Sequence, residues 1–248
     1  MKLAAVAALA YLAFCGLVAL FQRSLIYFPQ PRTNRDHPTL TLAVPDARIE
    51  LTTRQSQQPG ALLYFGGNAE DVSWSAGELE AAFPDRDLYL MHYRGYGGSS
   101  GQPTEAALFA DSLALFDLVR QDHMNIVAVG RSLGSGVAVY LASKRPVSGL
   151  VLVTPFDSVL AVAARSFWFV PVRWLLRDRF ESVKYAANIT APTTIIAAEH
   201  DVEIPRRHTE ALIRGFRPGV ATLKVVAGAG HNTIASSPDY IPLLRDEP

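Results

Sequence analysis

A serine framed by glycines is the first feature of this sequence with clear chemical potential. The motif Gly-Arg-Ser-Leu-Gly occupies residues 130–134, after the β-branched run 125–129 and before the small-residue segment 135–144. A strand, a G-x-S-x-G turn and a helix in this order are typical of a nucleophile elbow, which presents a serine hydroxyl at a sharp bend. The start of the following helix also directs backbone N–H groups at any anion formed there. The pattern therefore predicts that Ser132 is a nucleophile.

A serine nucleophile needs a base, and the base needs a carboxylate that orients it. His231 lies in the glycine-rich segment 228–231, and a neutral histidine, which titrates near pH ~6.5, takes up the serine proton during attack. Asp201 follows the apolar run 193–198, where its carboxylate is placed to fix the imidazole tautomer and stabilise the imidazolium. We therefore expect Ser132, Asp201 and His231 to act together as a catalytic triad.

Other carboxylates remain open as the acid of this triad. The alternatives to Asp201 are Glu199, Glu203 and Asp157. Asp201 also has a purely structural interpretation as a cap or turn residue before Pro205. The remaining histidines lie in linker, strand-end or helix-like contexts that do not suit a base for the serine.

An oxyanion hole needs two backbone N–H donors that point to one position. Leu133, the residue after the nucleophile, is expected to supply the first donor. Asn68 is expected to supply the second, because the glycines at 66 and 67 allow the backbone of this turn to approach a substrate closely. The alternative is that these glycines form an ordinary turn between a strand and a helix.

Apolar segments alternate with helical ones along the chain, which is the pattern of an α/β domain. Several predicted strands are apolar throughout, and such strands are typical of a mostly parallel sheet with helices on both faces. Because catalytic groups collect beyond the carboxyl ends of parallel strands, the three triad candidates are expected at that edge. The predicted strands are 47–51, 61–65, 87–93, 125–129, 149–153, 193–198 and 222–226, and the predicted helices are 70–83, 104–121 and 135–144.

Composition and charge exclude several classes of function. The 23 basic and 23 acidic residues give a formal net charge of zero, which argues against a nucleic-acid partner. The single cysteine, Cys15, excludes a disulfide within the chain and a metal site built on cysteines. The glycine-rich segment 130–136 lacks the lysine of a phosphate-binding loop, so a nucleotide site is not predicted there.

The N-terminal sequence predicts a membrane anchor. The uncharged run Leu3–Phe21 falls within the roughly 17–25 residues that span a bilayer as a helix. A cleaved signal peptide is the alternative, but no small-residue cleavage site closes the run. We expect an uncleaved single-pass anchor at 1–22, a linker at 23–45 and a catalytic domain at 46–248. The charges flanking the anchor favour a cytoplasmic domain by a small margin, which leaves the side of the membrane open.

Several short motifs are spread over nearly the whole chain. They are 65–69, 93–97, 130–134, 155–158, 200–201 and 230–231, together with 23–29 after the anchor. Together they resemble one membrane-anchored branch of the α/β-hydrolase superfamily, which includes abhydrolase-domain depalmitoylases and bacterial proteins described as serine-peptidase-like hydrolases. The resemblance implies an α/β-hydrolase fold with Ser132, Asp201 and His231 as the triad and with no metal or organic cofactor. Many relatives carry histidine then glycine where this chain has two glycines at 66 and 67.

The segment at about 158–190 lies between two predicted strands, where this fold inserts a lid. The segment is short and mixes aromatic residues with arginines. One interpretation is a pair of amphipathic helices whose aromatic face packs on the core. The other is a lid that dips its aromatic residues into a bilayer and places its arginines on anionic head groups.

The sequence as a whole predicts a membrane-anchored serine hydrolase. The expected substrate is an acyl ester or thioester, with lipid-like acyl groups included, and the expected route is an acyl-enzyme intermediate. Two alternatives stay open, a serine peptidase of the same fold and a catalytically silent, membrane-anchored interaction protein. The intact set of serine, aspartate and histidine favours an enzyme over the silent protein.

Overall fold

An eight-stranded sheet forms the centre of the protein in a computed structural model that describes residues 2–246. The strands are β1 (Thr39–Val44), β2 (Ala47–Arg54), β3 (Gly60–Phe65), β4 (Arg86–Met91), β5 (Asn125–Arg131), β6 (Gly149–Val153), β7 (Thr193–Ala198) and β8 (Ala221–Val226). Their order across the sheet is β1-β2-β4-β3-β5-β6-β7-β8. β2 pairs antiparallel with β1 and with β4, and every other pair is parallel. The expected α/β fold with a mostly parallel sheet is confirmed.

Helices cover both faces of this sheet. The helices of the described residues are α1 (Lys2–Ile26), α2 (Ala76–Ala82), α3 (Glu105–Val119), α4 (Leu133–Lys144), α5 (Val159–Ser166), α6 (Val172–Leu175), α7 (Val183–Ala186), α8 (Arg206–Ile213) and α9 (Tyr240–Arg245). The apolar residues of α3, α4, α7 and α8 form one buried cluster with the sheet, and those of α2 and α9 form a second cluster on the opposite face.

Two-sided coverage explains why the central strands are continuous apolar runs. In β3, Leu63 and Phe65 belong to one buried cluster, whereas Leu62 and Tyr64 belong to the other. Side chains of a strand alternate between the two faces, so a strand buried on both faces has no solvent side that needs polar residues. All six residues of β3 are buried accordingly.

The segments around the sheet differ from the sequence prediction in three places. The N-terminal helix continues to Ile26, beyond the anchor boundary drawn at 22, and the expected linker 23–45 contains the edge strand β1. The helix predicted at 70–83 starts later, because the Asp71 carboxylate accepts the Ser73 N–H at 3.1 Å and caps a short 3₁₀ turn before α2. The N-cap predicted at Thr104 is present, since its hydroxyl accepts the Ala107 N–H at 3.1 Å.

The N-terminal helix α1 packs on the first part of the lid. α1 is long and apolar enough to cross a membrane, a test that a signal sequence near an N-terminus also passes. The lid lies between β6 and β7 and consists of α5, α6 and α7. Cys15 of α1 packs in one buried cluster with Val170, Val172 and Leu176 of the lid.

Candidate active site

Ser132 sits at a sharp turn between β5 and α4. Its φ of 50° and ψ of −118° lie in a strained backbone region that the tight turn imposes. The turn leaves no room beside it, because a Cβ atom on Gly134 would lie 2.0 Å from the Phe65 carbonyl oxygen and one on Gly130 would lie 2.4 Å from the Gly134 carbonyl oxygen. The two glycines of the G-x-S-x-G motif are therefore required by close backbone approach.

Ser132, His231 and Asp201 form one hydrogen-bonded row. The Ser132 Oγ atom lies 3.0 Å from His231 Nε2, and His231 Nδ1 lies 2.8 Å from Asp201 Oδ2. A carboxylate only accepts hydrogen bonds, so Nδ1 carries the proton and the Nε2 lone pair faces the serine hydroxyl. The side chains of His231 and Asp201 are 6% and 5% exposed, which keeps this row largely out of water.

Backbone donors hold the Asp201 carboxylate in place. Its Oδ1 atom accepts the N–H groups of Glu203 at 3.1 Å and Ile204 at 2.7 Å, which leaves Oδ2 for the histidine. Charge-assisted hydrogen bonds of this kind fix the orientation of the carboxylate and stabilise its negative charge. The turn before Pro205 therefore serves the site, and the structural and functional interpretations of Asp201 describe the same geometry.

The three alternative acids have other positions or partners. Asp157 accepts a hydrogen bond from His208 Nδ1 at 2.8 Å, and Glu199 accepts the Gly228 N–H at 2.8 Å. Glu203 lies closer, but its Oε2 atom is 3.8 Å from His231 Nε2, on the side of the ring that faces the serine. Among these carboxylates, Asp201 is the one that bonds Nδ1.

The two expected oxyanion donors border the same cavity as Ser132. Leu133 is the first residue of α4, where a backbone N–H has no acceptor within its own helix. The Gly67 N–H donates instead to Glu70 Oε2 at 2.8 Å, and Asn68 is the next residue along the turn. Asn68 is held from both sides, since its carbonyl oxygen accepts the Tyr96 hydroxyl and its side-chain amide donates to the Ile26 carbonyl oxygen at 3.2 Å.

Sequence reasoning missed the group that organises this turn. Glu70 is largely buried, and its Oε1 atom accepts the hydroxyls of Tyr64 and Ser75, each at 2.7 Å. Its Oε2 atom also lies 3.3 Å from the guanidinium of Arg131, the residue before Ser132. A glutamate three residues after Gly67 has the spacing of a capping box, and this spacing was the available signal.

The ionisable groups around Glu70 shift one another's pKa values. Burial raises the pKa of Glu78 to about 7, and the neighbouring Glu70 carboxylate adds to the rise. Burial is the largest single influence on Arg131 and lowers its pKa, but Glu70, with smaller contributions from Tyr64, Tyr240 and Glu78, outweighs burial, so the pKa of Arg131 is raised. Glu70 and Arg131 therefore form an ion pair beside the turn that contains Gly67 and Asn68.

A cavity of about 340 Å³ opens from Ser132 between the sheet edge, the lid and α1. Its polar end holds Ser132, His231 and Asn68. Most of its wall is apolar and comes from the lid, and α1 supplies a further part of the wall that the sequence did not predict. In the described part of the chain, no group of three or more histidine, cysteine, aspartate or glutamate side chains is placed to hold a metal ion.

The sequence matches a known protein family and known relatives. A family profile described as alpha/beta hydrolase fold matches residues 60–191. An uncharacterized protein of Mycobacterium tuberculosis is 35% identical over 231 residues, which cover 85% of this chain and 80% of that protein.

Two solved structures share the fold and carry names that describe acyl chemistry. An esterase of Pyrococcus furiosus has a TM-score of 0.64 at 15% identity and covers 86% of this chain and 94% of its own. A thioesterase domain from the curacin biosynthetic pathway has a TM-score of 0.63 at 17% identity and covers 85% of this chain and 99% of its own. At such identities the likeness concerns the fold alone.

Proposed function

Because this chain belongs to the α/β-hydrolase family, we propose that it is a serine hydrolase that cleaves an ester or thioester through an acyl-enzyme intermediate. The observation that carries the proposal is the hydrogen-bonded row of Ser132, His231 and Asp201, with distances of 3.0 Å and 2.8 Å. These residues follow β5, β8 and β7, at the edge of the sheet where catalytic groups of such folds collect.

The first half-reaction transfers the acyl group to the serine. Ser132 Oγ forms a bond to the substrate carbonyl carbon while its proton passes to His231 Nε2. Asp201 holds the ring and stabilises the imidazolium. The backbone N–H groups of Leu133 and Asn68 bind the oxyanion, and loss of one such donor typically costs about 2.7–4 kcal/mol. His231 then protonates the leaving alcohol or thiol as its bond to carbon breaks.

The second half-reaction releases the acid. A water molecule gives a proton to His231 Nε2 and attacks the acyl carbon, and a second oxyanion forms at the same two N–H groups. When the intermediate collapses, the proton returns to Ser132 Oγ and the carboxylic acid leaves. The enzyme ends in its starting protonation state.

The character of the cavity favours an ester or thioester over a peptide. Its walls are mostly apolar and suit an acyl chain. The described residues that line it include no lysine or arginine to receive the terminal carboxylate of a peptide. The esterase and thioesterase that share the fold are consistent with this preference.

We also place the protein at a membrane through α1, with the lid against the surface. The outer side of α1 is exposed and apolar, and in the lid Trp168 and Trp174 are 81% and 87% exposed. Aromatic rings and arginines on one lid are suited to an interface with anionic lipid.

The lid contact is tested with single-tryptophan variants of the full chain in bilayers that contain brominated lipid. We expect quenching of Trp168 and Trp174, whereas Trp74, which donates its indole N–H to Thr33 on another part of the surface, stays unquenched. Equal quenching of all three tryptophans would show that the lid does not lie against the membrane.

The nucleophile is tested with a fluorophosphonate probe and p-nitrophenyl esters. We expect the wild type to be labelled and Ser132→Ala to lose both labelling and turnover. Ser143→Ala, which removes another hydroxyl from the same helix, serves as the matched control and is expected to be labelled like the wild type. Labelling that survives Ser132→Ala, or a wild type that is never labelled, would contradict the proposal.

A further inference from the structure

We propose that α1 forms one wall of the acyl-binding site and sets the length of acyl chain that the enzyme prefers. This inference rests on the proposed hydrolase function. It gives the N-terminal helix a part in substrate selection in addition to anchoring.

One face of α1 borders the cavity above Ser132. The residues that supply it follow one another at intervals of three or four positions, apart from one adjacent pair at the end, and they are Phe14, Val18, Gln22, Leu25 and Ile26. Residues with this spacing project from one side of a helix. The stretch from the first to the last spans about 18 Å at roughly 1.5 Å per residue, which suits an extended acyl chain.

The two ends of this wall are defined by contacts. At the catalytic end, the Ile26 carbonyl oxygen accepts the side-chain amide of Asn68 at 3.2 Å, beside the expected oxyanion donors. At the far end, the ring of Phe14 stacks on Phe169 of the lid with centroids 6.3 Å apart. A chain bound to Ser132 is therefore directed along α1 towards this aromatic pair.

Polar contacts hold α1 in this position. The Gln22 side chain is buried and bridges to the lid twice, donating to the Leu175 carbonyl oxygen at 3.1 Å and accepting the Arg177 N–H at 2.7 Å. Arg23 pairs with the buried carboxylate of Asp178 at 3.0 Å. A buried amide is stable only when its hydrogen-bond partners are in place. The Gln22 amide therefore specifies one register of α1 on the lid.

The opposite side of α1 is exposed and apolar, as at Leu9 and Leu20. The helix thus presents one apolar face to the cavity and another to the surroundings, which are lipid if α1 spans the bilayer. The length of the wall, about 18 Å, therefore favours long-chain acyl substrates at this site.

The test measures kcat/KM of the full-length protein in detergent micelles for p-nitrophenyl esters from acetate to palmitate. For the wild type we expect kcat/KM to rise with chain length by about fourfold per methylene that reaches the wall, which corresponds to about 0.8 kcal/mol per buried methylene. Val18→Trp fills the cavity partway along, so the ratio of long-chain to short-chain kcat/KM is expected to fall at least about tenfold, the effect of losing roughly two methylenes.

A second variant changes the preference in the opposite direction. Phe14→Ala removes the aromatic end of the cavity and is expected to move the optimum to longer chains. Leu20→Trp places the same bulky ring on the exposed face of α1 and is expected to keep the wild-type ratio. Thermal unfolding of each variant identifies any that fail to fold, and the two cavity variants report independently.

The outcomes separate this inference from the function on which it depends. If the wild type is labelled by fluorophosphonate and hydrolyses esters, but Val18→Trp and Phe14→Ala both keep the wild-type chain-length profile, α1 is not a wall of the site and the hydrolase proposal stands. If the wild type is neither labelled nor active, the hydrolase proposal itself fails.

Discussion

Glu70 accepts the backbone N–H of Gly67 at 2.8 Å and so occupies one donor of the turn that we propose binds the oxyanion. The Gly67 donor is occupied by this bond, and the following residue, Asn68, borders the cavity beside Ser132. Glu70 is not among the residues that line the cavity, yet it holds the turn that carries the proposed donor Asn68.

Replacing Glu70 by alanine should lower kcat more than it changes KM, because the turn loses the bond that orients it. We expect a loss of up to about 10²-fold, the lower end of what removal of one oxyanion donor costs. The partly buried Arg131 guanidinium also loses this carboxylate partner, so stability should fall by about 1–3 kcal/mol. Steady-state kinetics and thermal unfolding measure the two effects separately. Glu210→Ala, on the exposed side of α8, is the control, and an unchanged kcat for folded Glu70→Ala would show that the turn holds its shape alone.

Replacing Asp201 by asparagine should lower kcat on the order of 10⁴-fold, because an amide permits the wrong imidazole tautomer to face Ser132. Asp157→Asn is a matched control, since its carboxylate bonds a different histidine, His208, at 2.8 Å. That change should reduce stability with much less effect on kcat. Kinetics of the two variants side by side decide the assignment, and a larger loss for Asp157→Asn would mean that Asp157 is the acid.

The central sheet was predictable because its strands are continuous apolar runs with a single interpretation. The edge strand β1 was not, because Thr39–Val44 is only partly buried and lies in a proline-rich stretch that is typical of a linker. The 3₁₀ turn before α2 depends on a side-chain cap at Asp71, which competes with the helical pattern of 70–83.

The site was predictable only in part. Ser132 carries a strand-turn-helix context, and the residues after β7 and β8 fall at the same edge of a parallel sheet, so the approach of Asp201 and His231 follows from topology. The contribution of α1 does not, because a helix that is apolar on all sides gives no pattern to identify its packed face. That face became visible only through its contacts with the lid.

Stability should fall as the pH rises through the range in which Glu78 titrates. The ordinary pKa of 4.5 applies to the unfolded chain, and burial raises the pKa to about 7 in the folded protein. The neutral carboxyl is thus favoured in the fold, so its stabilising contribution is complete below about pH 4.5 and is lost progressively up to about pH 7. Glu78→Gln should remove this part of the pH dependence and be more stable than the wild type above pH 7.

Thermal unfolding at about pH 5 and about pH 8 checks this, since the two values bracket most of the transition. Glu210→Gln, at an exposed position of α8, should keep the wild-type dependence. A Glu78→Gln variant with the same pH dependence as the wild type would assign the slope to other groups.

Replacing Gly134 by alanine should damage both folding and activity, because the added Cβ would lie 2.0 Å from the Phe65 carbonyl oxygen. Backbone atoms of β3 and α4 cannot both stay in place, so the elbow that presents Ser132 must open. Gly77→Ala is the matched control, since a Cβ there meets nothing within 4 Å and lies in helix α2. The control should gain about 0.5–1 kcal/mol from helix propensity. Thermal unfolding and the rate of fluorophosphonate labelling measure both variants, and a Gly134→Ala protein with wild-type values in both would show that the elbow tolerates a side chain.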